Sequence, residues 1–321
     1  MNINVSEKCI DYENDIFYES GLYDIRHIQP HYHYKDMEIV FCLKGCVNLV
    51  SGHQSVKINA GEIFSIDCRD IHYIYSDTPN LTLIFHLDLT RTHIPWEKLQ
   101  NIFFSCESCH CYPHQQKAMM QVKDIILTLS FISYSDDHIG TSAYTKKIDR
   151  LLCMFMDIMY KNFNWFNYEN QDEYVNDEML DRFYRIISFC SENYYKKITI
   201  SQLAAAEHIN KNYFSQFISK TVFLSFNAMI SFIRCYEAEH LLLTTDKTNW
   251  EITYLCGFSD SKYFYRAFKS WWKCTPTEHR KRYTLSMEKN TDIIKITGQE
   301  ATDLLNDYIT QWHIEKTFEQ I

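Results

Sequence analysis

Short apolar runs separated by turn residues fill the chain between about residues 20 and 90. Residues 37–43 form one compact run and residues 81–87 another, while Gly45 and Gly61 stand at turns. Between these runs apolar and polar positions alternate, which is typical of strands with one buried face. Regularly spaced short strands favour a small barrel or sandwich in this region.

From about residue 116 the apolar spacing lengthens to three or four residues, which indicates α-helices. The stretch after them is polar and aromatic without a period, and a second helical block and an apolar-striped tail follow. We therefore predict a multidomain protein with an N-terminal β-barrel, flanking helices and a C-terminal all-α domain. The predicted segments are a barrel (1–115), a helical region (116–161), a linker (162–177), a second helical domain (178–283) and a helical tail (284–321).

The second helical block contains an internal repeat. Residues 210–216 (NKNYFSQ) resemble residues 259–266 (SDSKYFYR), and a short helical segment precedes each copy. Thr199 with Gln202, and Thr248 with Glu251, have the spacing of capping boxes that open these short helices. Each copy thus reads as a helix, a tight turn and a second helix. Two plain helical hairpins are the alternative, which the presence of two copies joined by one helix disfavours.

The second helix of each copy is predicted to start at an N-cap, Asn210 in the first and Ser259 in the second. Apolar residues at helical spacing place one face of each helix inward, so polar residues remain on the other. Those residue types suit hydrogen bonds to base edges and phosphates. The predicted DNA-contacting residues are Lys211, Asn212, Ser215, Gln216, Ser261, Lys262, Tyr265 and Arg266.

Charge is distributed unevenly along the chain. The formal net charge is −9, but residues 181–283 hold 15 Lys and Arg against 9 Asp and Glu, a net +6, so the rest of the chain carries −15. A basic region within an acidic chain is compatible with nucleic-acid binding confined to that region.

The block from about 181 to 283 resembles the DNA-binding domain of the AraC/XylS regulators. The resemblance covers about a third of the chain and implies two helix-turn-helix units spaced by roughly one DNA turn, about 34 Å, on a connecting helix. It departs from the family pattern at His208 and Cys274, where glycine is usual, and at Gln216, where arginine is common. The resemblance is carried by Ile233-Arg234, Ala238, Leu241-Leu242, Thr245-Asp246, Ile252, Gly257-Phe258-Ser259-Asp260, Tyr263-Phe264, Arg266, Phe268-Lys269, Thr275-Pro276 and Arg280.

A second resemblance lies in the barrel region. His31-x-His33, Glu38 and Gly45 are spaced like the first motif of the cupins, and Gly61 followed by His72 resembles the second. The resemblance implies that His31, His33, Glu38 and His72 converge, either as metal ligands or as polar residues that line an effector pocket. We expect the pocket and predict no metal and no cofactor.

Cysteines are the remaining candidates for chemistry. Cys106-x-x-Cys109-His110 fits the pattern of c-type haem attachment, and Cys106, Cys109, Cys111 and His114 could bind zinc or sense redox state. We expect ordinary reduced loop cysteines, because no export signal precedes them.

Together these patterns predict a cytoplasmic, sequence-specific transcription regulator that is not an enzyme. The expected partners are promoter DNA, RNA polymerase, an unknown small-molecule effector and a second copy of the chain, with the helix around residues 147–160 as the dimer contact. No apolar run reaches membrane-spanning length. A metal-dependent cupin enzyme with an accessory helical domain is the alternative, although such an enzyme would not need the basic repeat.

Overall fold

The computed structural model of the chain describes residues 3–12, 16–52, 54–134, 142–166 and 176–319. Most of the predicted linker (162–177) lies outside these residues. The strands are β1 (Tyr18–His31), β2 (Asp36–Lys44), β3 (Cys46–Ser51), β4 (Gln54–Asn59), β5 (Ile63–Ile66), β6 (His72–Tyr75), β7 (Leu81–Asp88) and β8 (Asp292–Ile296). The helices are α1 (Trp96–Leu99), α2 (Gln116–Tyr134), α3 (Ser142–Asn162), α4 (Asp177–Asn193), α5 (Ile200–Ala206), α6 (Lys211–Ser219), α7 (Phe226–Thr244), α8 (Asn249–Leu255), α9 (Ser261–Trp272), α10 (Pro276–Met287) and α11 (Gly298–Glu319).

The strands form one antiparallel sheet in the order β4-β3-β6-β1-β7-β2-β5, with β8 added to β1. Its two ends approach each other because the turn between β4 and β5 folds onto β2. There the Gly61 amide donates to the Cys42 carbonyl at 2.8 Å, and the Cys42 amide donates to the Glu62 carbonyl at 3.1 Å. The sheet is therefore a nearly closed barrel, which confirms the predicted architecture.

Strand β2 shows how the barrel separates two cores. It is buried along both faces up to Lys44. Val40 and Cys42 belong to an apolar cluster with residues of the other barrel strands, such as Ile74. Ile39 and Phe41 belong to a second cluster that includes buried residues of the helices. Alternation along one strand therefore assigns Glu38 to the same face as Val40, toward the barrel interior.

Helices α2 and α3 place their predicted apolar stripes in the second cluster. Val122, Ile126, Leu152, Phe155 and Met159 are all almost completely buried. These stripes are therefore core, and the exposed side of α3 carries charged residues and the half-exposed Met154.

The tail corrects the prediction of a purely helical segment. Residues 292–296 form β8, which pairs antiparallel with β1 from Leu22↔Ile296 to His27↔Asp292. Helix α11 then packs on α2, where Trp312 Nε1 donates to Asp124 Oδ1 at 2.8 Å. A strand and a helix from the end of the chain thus complete the N-terminal domain.

Candidate functional site

Four polar side chains meet inside the barrel. His31 and His72 are opposite each other on β1 and β6, and His33 follows β1 by two residues. Nε2 of His33, His72 and His31 lies 3.1, 3.3 and 3.8 Å from the same atom, Glu38 Oε2. One potential ligand atom from each of the four residues lies within 4.8 Å of all the others. The cupin-like spacing in the sequence thus corresponds to a real cluster, hereafter the histidine cluster.

Backbone carbonyls orient the three rings. Nδ1 of His31, His33 and His72 lies 2.9, 2.6 and 2.9 Å from the carbonyl oxygens of Gln29, Lys8 and Asp70. Because a carbonyl can only accept a hydrogen bond, each Nδ1 carries the proton. Each Nε2 therefore offers its lone pair toward Glu38 when the ring is neutral.

Burial governs the charges of the cluster. Burial lowers the pKa of His31 to about 3 and lowers that of His33 as well. Burial alone would raise the pKa of Glu38, but the surrounding imidazoles, that of His72 most of all, hold it well below its usual range. Glu38 is thus an ionised carboxylate at pH 7.

A fourth histidine, His86, was missed by the sequence analysis. It is opposite Glu38 in the β2–β7 ladder. Its Nε2 lies 3.1 Å from Glu38 Oε2, and its Nδ1 lies 3.1 Å from Glu19 Oε2. Although burial opposes its charge, these two carboxylates raise the pKa of His86 to about 9. The preceding residue on β7, Phe85, packs outside the barrel. Alternation along the strand could therefore have assigned His86 to the barrel interior.

The cysteine segment does not form the four-ligand zinc site considered from the sequence. Cys106 is fully buried, and its Sγ faces Met119 Sδ at 3.8 Å. Among the described residues, the group with metal-ligand spacing that includes a cysteine is Glu107, Cys109 and His110. All twelve cysteines are free thiols.

The two helix-turn-helix units are built by local capping. Thr199 with Gln202, and Thr248 with Glu251, form the predicted capping boxes at α5 and α8. Asn210 caps α6 as predicted. The N-cap of α9 is Asp260 rather than Ser259, because the Asp260 side chain accepts from the Tyr263 amide.

Equivalent residues occupy the two turns in the same left-handed conformation. His208 has a φ of 54° and Gly257 a φ of 72°. The residue after each donates its amide to a carbonyl five positions earlier, Ile209 to Ala204 and Phe258 to Thr253. Both units therefore end their first helix with the same turn, but only the second has the residue that adopts it without strain.

Changing His208 to glycine should raise the free energy of unfolding by about 1 kcal/mol. Relief of about 1–2 kcal/mol of left-handed strain exceeds the roughly 0.4–1 kcal/mol by which glycine stabilises the unfolded chain. Urea unfolding of the two proteins measures the difference. His208→Ala is the control, since it removes the exposed imidazole but retains the Cβ. Equal stabilities of the alanine and glycine variants would mean that a Cβ at this position does not strain the turn.

An arginine secures the helix that precedes each unit. Arg234 of α7 donates to the carbonyls of Tyr194 and Lys196, just after α4, at 2.9 Å each. Arg280 of α10 donates to the carbonyl of Leu242 at 2.9 Å and to that of Lys247 at 2.7 Å. Each unit is thus fixed between two helices in the same way, so the structural repeat extends beyond the sequence motif.

The outer faces of α6 and α9 carry the predicted contact residues. Lys211, Asn212, Ser215 and Gln216 on α6, and Lys262 and Arg266 on α9, are exposed. Ser261 is half-buried, with its Oγ 3.4 Å from Thr253 Oγ1. Tyr265 is half-buried too, and its hydroxyl accepts from Asn249 at 2.7 Å.

Two tyrosines on these faces were not among the predicted residues. Tyr213 is 41% exposed and Tyr263 is 48% exposed. The Arg266 guanidinium lies over the Tyr263 ring, 5.2 Å from its centroid. The next residue in each case, Phe214 or Phe264, is fully buried. Each Tyr-Phe pair therefore has one ring facing solvent and one ring in the core.

Residues 203–282 match the family described as "Helix-turn-helix domain". This part of the chain is an AraC-type helix-turn-helix domain. The match spans both turns and both exposed helices, from the middle of α5 into α10.

Curated relatives are transcription regulators by description. The chain is 34% identical over 101 residues to the uncharacterized HTH-type transcriptional regulator YijO of Escherichia coli, covering 32% of this chain and 36% of that protein. It is 19% identical over 274 residues to an uncharacterized HTH-type transcriptional regulator of Staphylococcus aureus, covering 85% of this chain and 35% of that protein. The chain thus spans about a third of the length of these relatives.

Among solved structures, ToxT from Vibrio cholerae aligns with 83% of this chain and 98% of its own, at 14% identity and a TM-score of 0.42. Within the residues that the structure describes, no helix is long and apolar enough to cross a membrane.

The barrel contacts the AraC-type domain through the loop between β5 and β6, residues 67–71, hereafter the bridging loop. Arg69 Nη2 pairs with Glu237 Oε2 at 3.0 Å, and the Tyr236 hydroxyl donates to Asp70 Oδ1 at 2.9 Å. Both partners lie on α7, which connects the two units. The barrel is thus joined directly to the helix that connects α6 and α9.

Proposed function

We propose that this protein is a sequence-specific DNA-binding transcription regulator of the AraC type, whose barrel responds to an effector. The observation that carries the proposal is the pair of exposed polar helices, α6 and α9, in the two units that α7 connects. The 19 residues of α7 span about 28 Å at 1.5 Å per residue. This length approaches one turn of DNA, about 34 Å, so the two helices can enter successive major grooves.

Two further partners follow from the same proposal. Promoter binding requires access to DNA in the cytoplasm and, for regulation, contact with RNA polymerase. The exposed side of α3, around residues 147–160, would pair two copies of the chain. The alternative of a metal-dependent cupin enzyme would not require the exposed polar faces of α6 and α9.

A small-molecule effector has a candidate position beside α7. A cavity of about 120 Å³ lies between the barrel and the AraC-type domain. Asp67 and Asp70 of the bridging loop line one side, and Tyr236, Glu239 and Trp272 line the other. An effector bound there would contact both domains at once, so its binding would favour one arrangement of them over others.

The proposed function is tested by selecting sequences from a random duplex library with the full chain and measuring the affinity for the selected DNA. The affinity should fall steeply with salt, because phosphate contacts release counterions. Binding that is independent of salt and of changes to α6 and α9 would contradict the proposal.

Arg266→Ala should weaken binding to the selected DNA by about 1–3 kcal/mol, or roughly 5- to 150-fold, if the guanidinium reads a base. It should also relax the sequence preference at one position, whereas Lys262→Ala should weaken all sequences about equally if Lys262 contacts phosphate. Fluorescence anisotropy on matched and single-mismatch duplexes measures both effects. Lys117→Ala on α2 removes the same charge from the N-terminal domain and is the control. A loss for Lys117→Ala equal to that for Arg266→Ala would contradict a direct contact.

A further inference from the structure

The histidine cluster is incomplete with protein atoms alone. The three Nδ1 protons are committed to backbone carbonyls, so the Nε2 lone pairs of His31, His33 and His72 point at a carboxylate oxygen. Nε2 of His31 and Oε1 of Glu38 are buried and have no hydrogen-bond partner among the residues that the structure describes. Full protonation would place three imidazolium ions around one carboxylate, at a high desolvation penalty. A single cation between these atoms satisfies all four residues.

The donor atoms and their spacing identify the class of cation. Metal–nitrogen bonds of about 2.0–2.1 Å imply separations of roughly 3.0–3.4 Å between neighbouring donors. Two of the observed distances to Glu38 Oε2, 3.1 and 3.3 Å, fall in this range, and the third is 3.8 Å. Three imidazoles and one carboxylate suit first-row divalent ions such as Zn²⁺, Fe²⁺, Mn²⁺ or Ni²⁺.

His86 has a different place in this arrangement. It lies between Glu38 and Glu19, so each of its ring nitrogens faces a carboxylate and donates to it. Such a histidine orients the ligating carboxylate and does not itself offer a lone pair.

The bridging loop connects the histidine cluster to α7. On the cluster side, the Arg69 amide donates to the His33 carbonyl at 2.6 Å, and His72 Nδ1 donates to the Asp70 carbonyl at 2.9 Å. On the α7 side, the side chains of the same two loop residues bond Glu237 and Tyr236. Arg69 is held at a φ of 72°, a conformation that persists only where surrounding contacts impose it.

We propose that His31, His33, Glu38 and His72 bind a first-row divalent metal ion, and that the bound ion controls DNA binding through the bridging loop and α7. The regulatory part rests on the proposed function, whereas the metal site does not. An ion that fixes His33 and His72 also fixes the backbone of the loop, and thereby the position of Tyr236 and Glu237 on α7.

The metal site is tested on the full chain, first stripped with a chelator and then supplied with Zn²⁺, Mn²⁺, Fe²⁺ or Ni²⁺ alone. Elemental analysis should find one ion per chain for at least one metal, and Glu38→Gln and His72→Asn should lose it. Cys109→Ser, which removes a ligand of the surface group Glu107-Cys109-His110, is the control and should retain it. Failure of all four ions to bind, or retention by both ligand variants, would overturn the site.

Substitution of a buried residue can unfold the protein and thereby release the ion, so the unmodified chain is measured as well. X-ray absorption of the Zn²⁺-loaded protein should report three imidazole ligands and oxygen. A thiolate ligand would assign the ion to Cys109 and overturn the assignment to the barrel. The unfolding temperature should also rise with the bound ion, since a ligand that binds only the folded state stabilises it.

The coupling is tested by measuring affinity for the selected DNA with and without the ion. Removal of the ion should change the affinity by about fivefold or more, the usual size of an allosteric coupling. Tyr236→Phe combined with Glu237→Gln should keep one ion per chain but reduce this response, while the surface change Tyr195→Phe should not. One bound ion with an unchanged DNA affinity would overturn the coupling and leave the metal site intact. Absence of any DNA binding would instead contradict the proposed function.

Discussion

Replacing Gly257 by alanine should lower the free energy of unfolding by about 2–5 kcal/mol, the sum of left-handed strain of about 1–2 kcal/mol and overpacking of about 1–3 kcal/mol. Gly257 has a φ of 72°, and a Cβ there would lie 2.8 Å from the Tyr194 carbonyl oxygen and 2.9 Å from that of Tyr195. These are backbone atoms just after α4, so they cannot move aside as a flexible side chain would. Urea unfolding monitored by tryptophan fluorescence measures the loss.

Gly298 provides a matched control for this prediction. It has a φ of 62°, but a Cβ there would meet none of the described residues within 4 Å. Gly298→Ala should therefore show only the strain of about 1–2 kcal/mol. If the two alanine variants lose the same stability, the carbonyls just after α4 do not restrict which residue can replace Gly257.

The AraC-type domain was predictable because its determinants are local. Capping residues, the turn glycine and apolar spacing all act within one or two helical turns. Because the unit occurs twice, each copy supports the interpretation of the other. The N-cap of α9 was misassigned because Ser259 and Asp260 are adjacent and both are good caps. His208 stands where the family pattern has glycine, and its φ of 54° lies in the left-handed region that favours glycine.

The barrel cluster was predictable only in part. The resemblance of the His31, His33, Glu38 and His72 segments to the cupin motifs implied that these residues converge, but not which atoms face each other. His86 escaped notice because it belongs to no motif and becomes a neighbour of Glu38 only through strand pairing. Tyr213 and Tyr263 were overlooked for a different reason, since aromatic residues at helical spacing usually belong to the core.

Contacts between distant segments were beyond the sequence patterns. Strand β8 has only five residues, and its Ile294 is 65% exposed, so its pattern does not resemble a buried strand. Its pairing with β1 joins segments about as far apart as the chain allows. The bridging loop likewise depends on Arg69 and Asp70 reaching α7, and no local periodicity encodes such a contact.

Replacing Arg280 by methionine should lower the free energy of unfolding by about 2–4 kcal/mol. Two hydrogen bonds from a charged group, each about 1.5–3 kcal/mol, are lost, and water at this half-buried site replaces part of their sum. The guanidinium joins α10 to the Leu242 and Lys247 carbonyls at 2.9 and 2.7 Å. Methionine retains most of the aliphatic length, so the loss reports the hydrogen bonds more than the packing. Urea unfolding measures it.

Two variants make this test specific. Arg280→Lys should recover only part of the stability, because a single ammonium cannot reach both carbonyls in the fork geometry of a guanidinium. Arg185→Met removes an exposed arginine that pairs with Glu207 at 2.7 Å and should change stability by less than about 1 kcal/mol. A loss at Arg280 no larger than that at Arg185 would mean that capping of these carbonyls does not hold the second unit on α7. In that case the matching bonds of Arg234 to the Tyr194 and Lys196 carbonyls could not be expected to hold the first unit either.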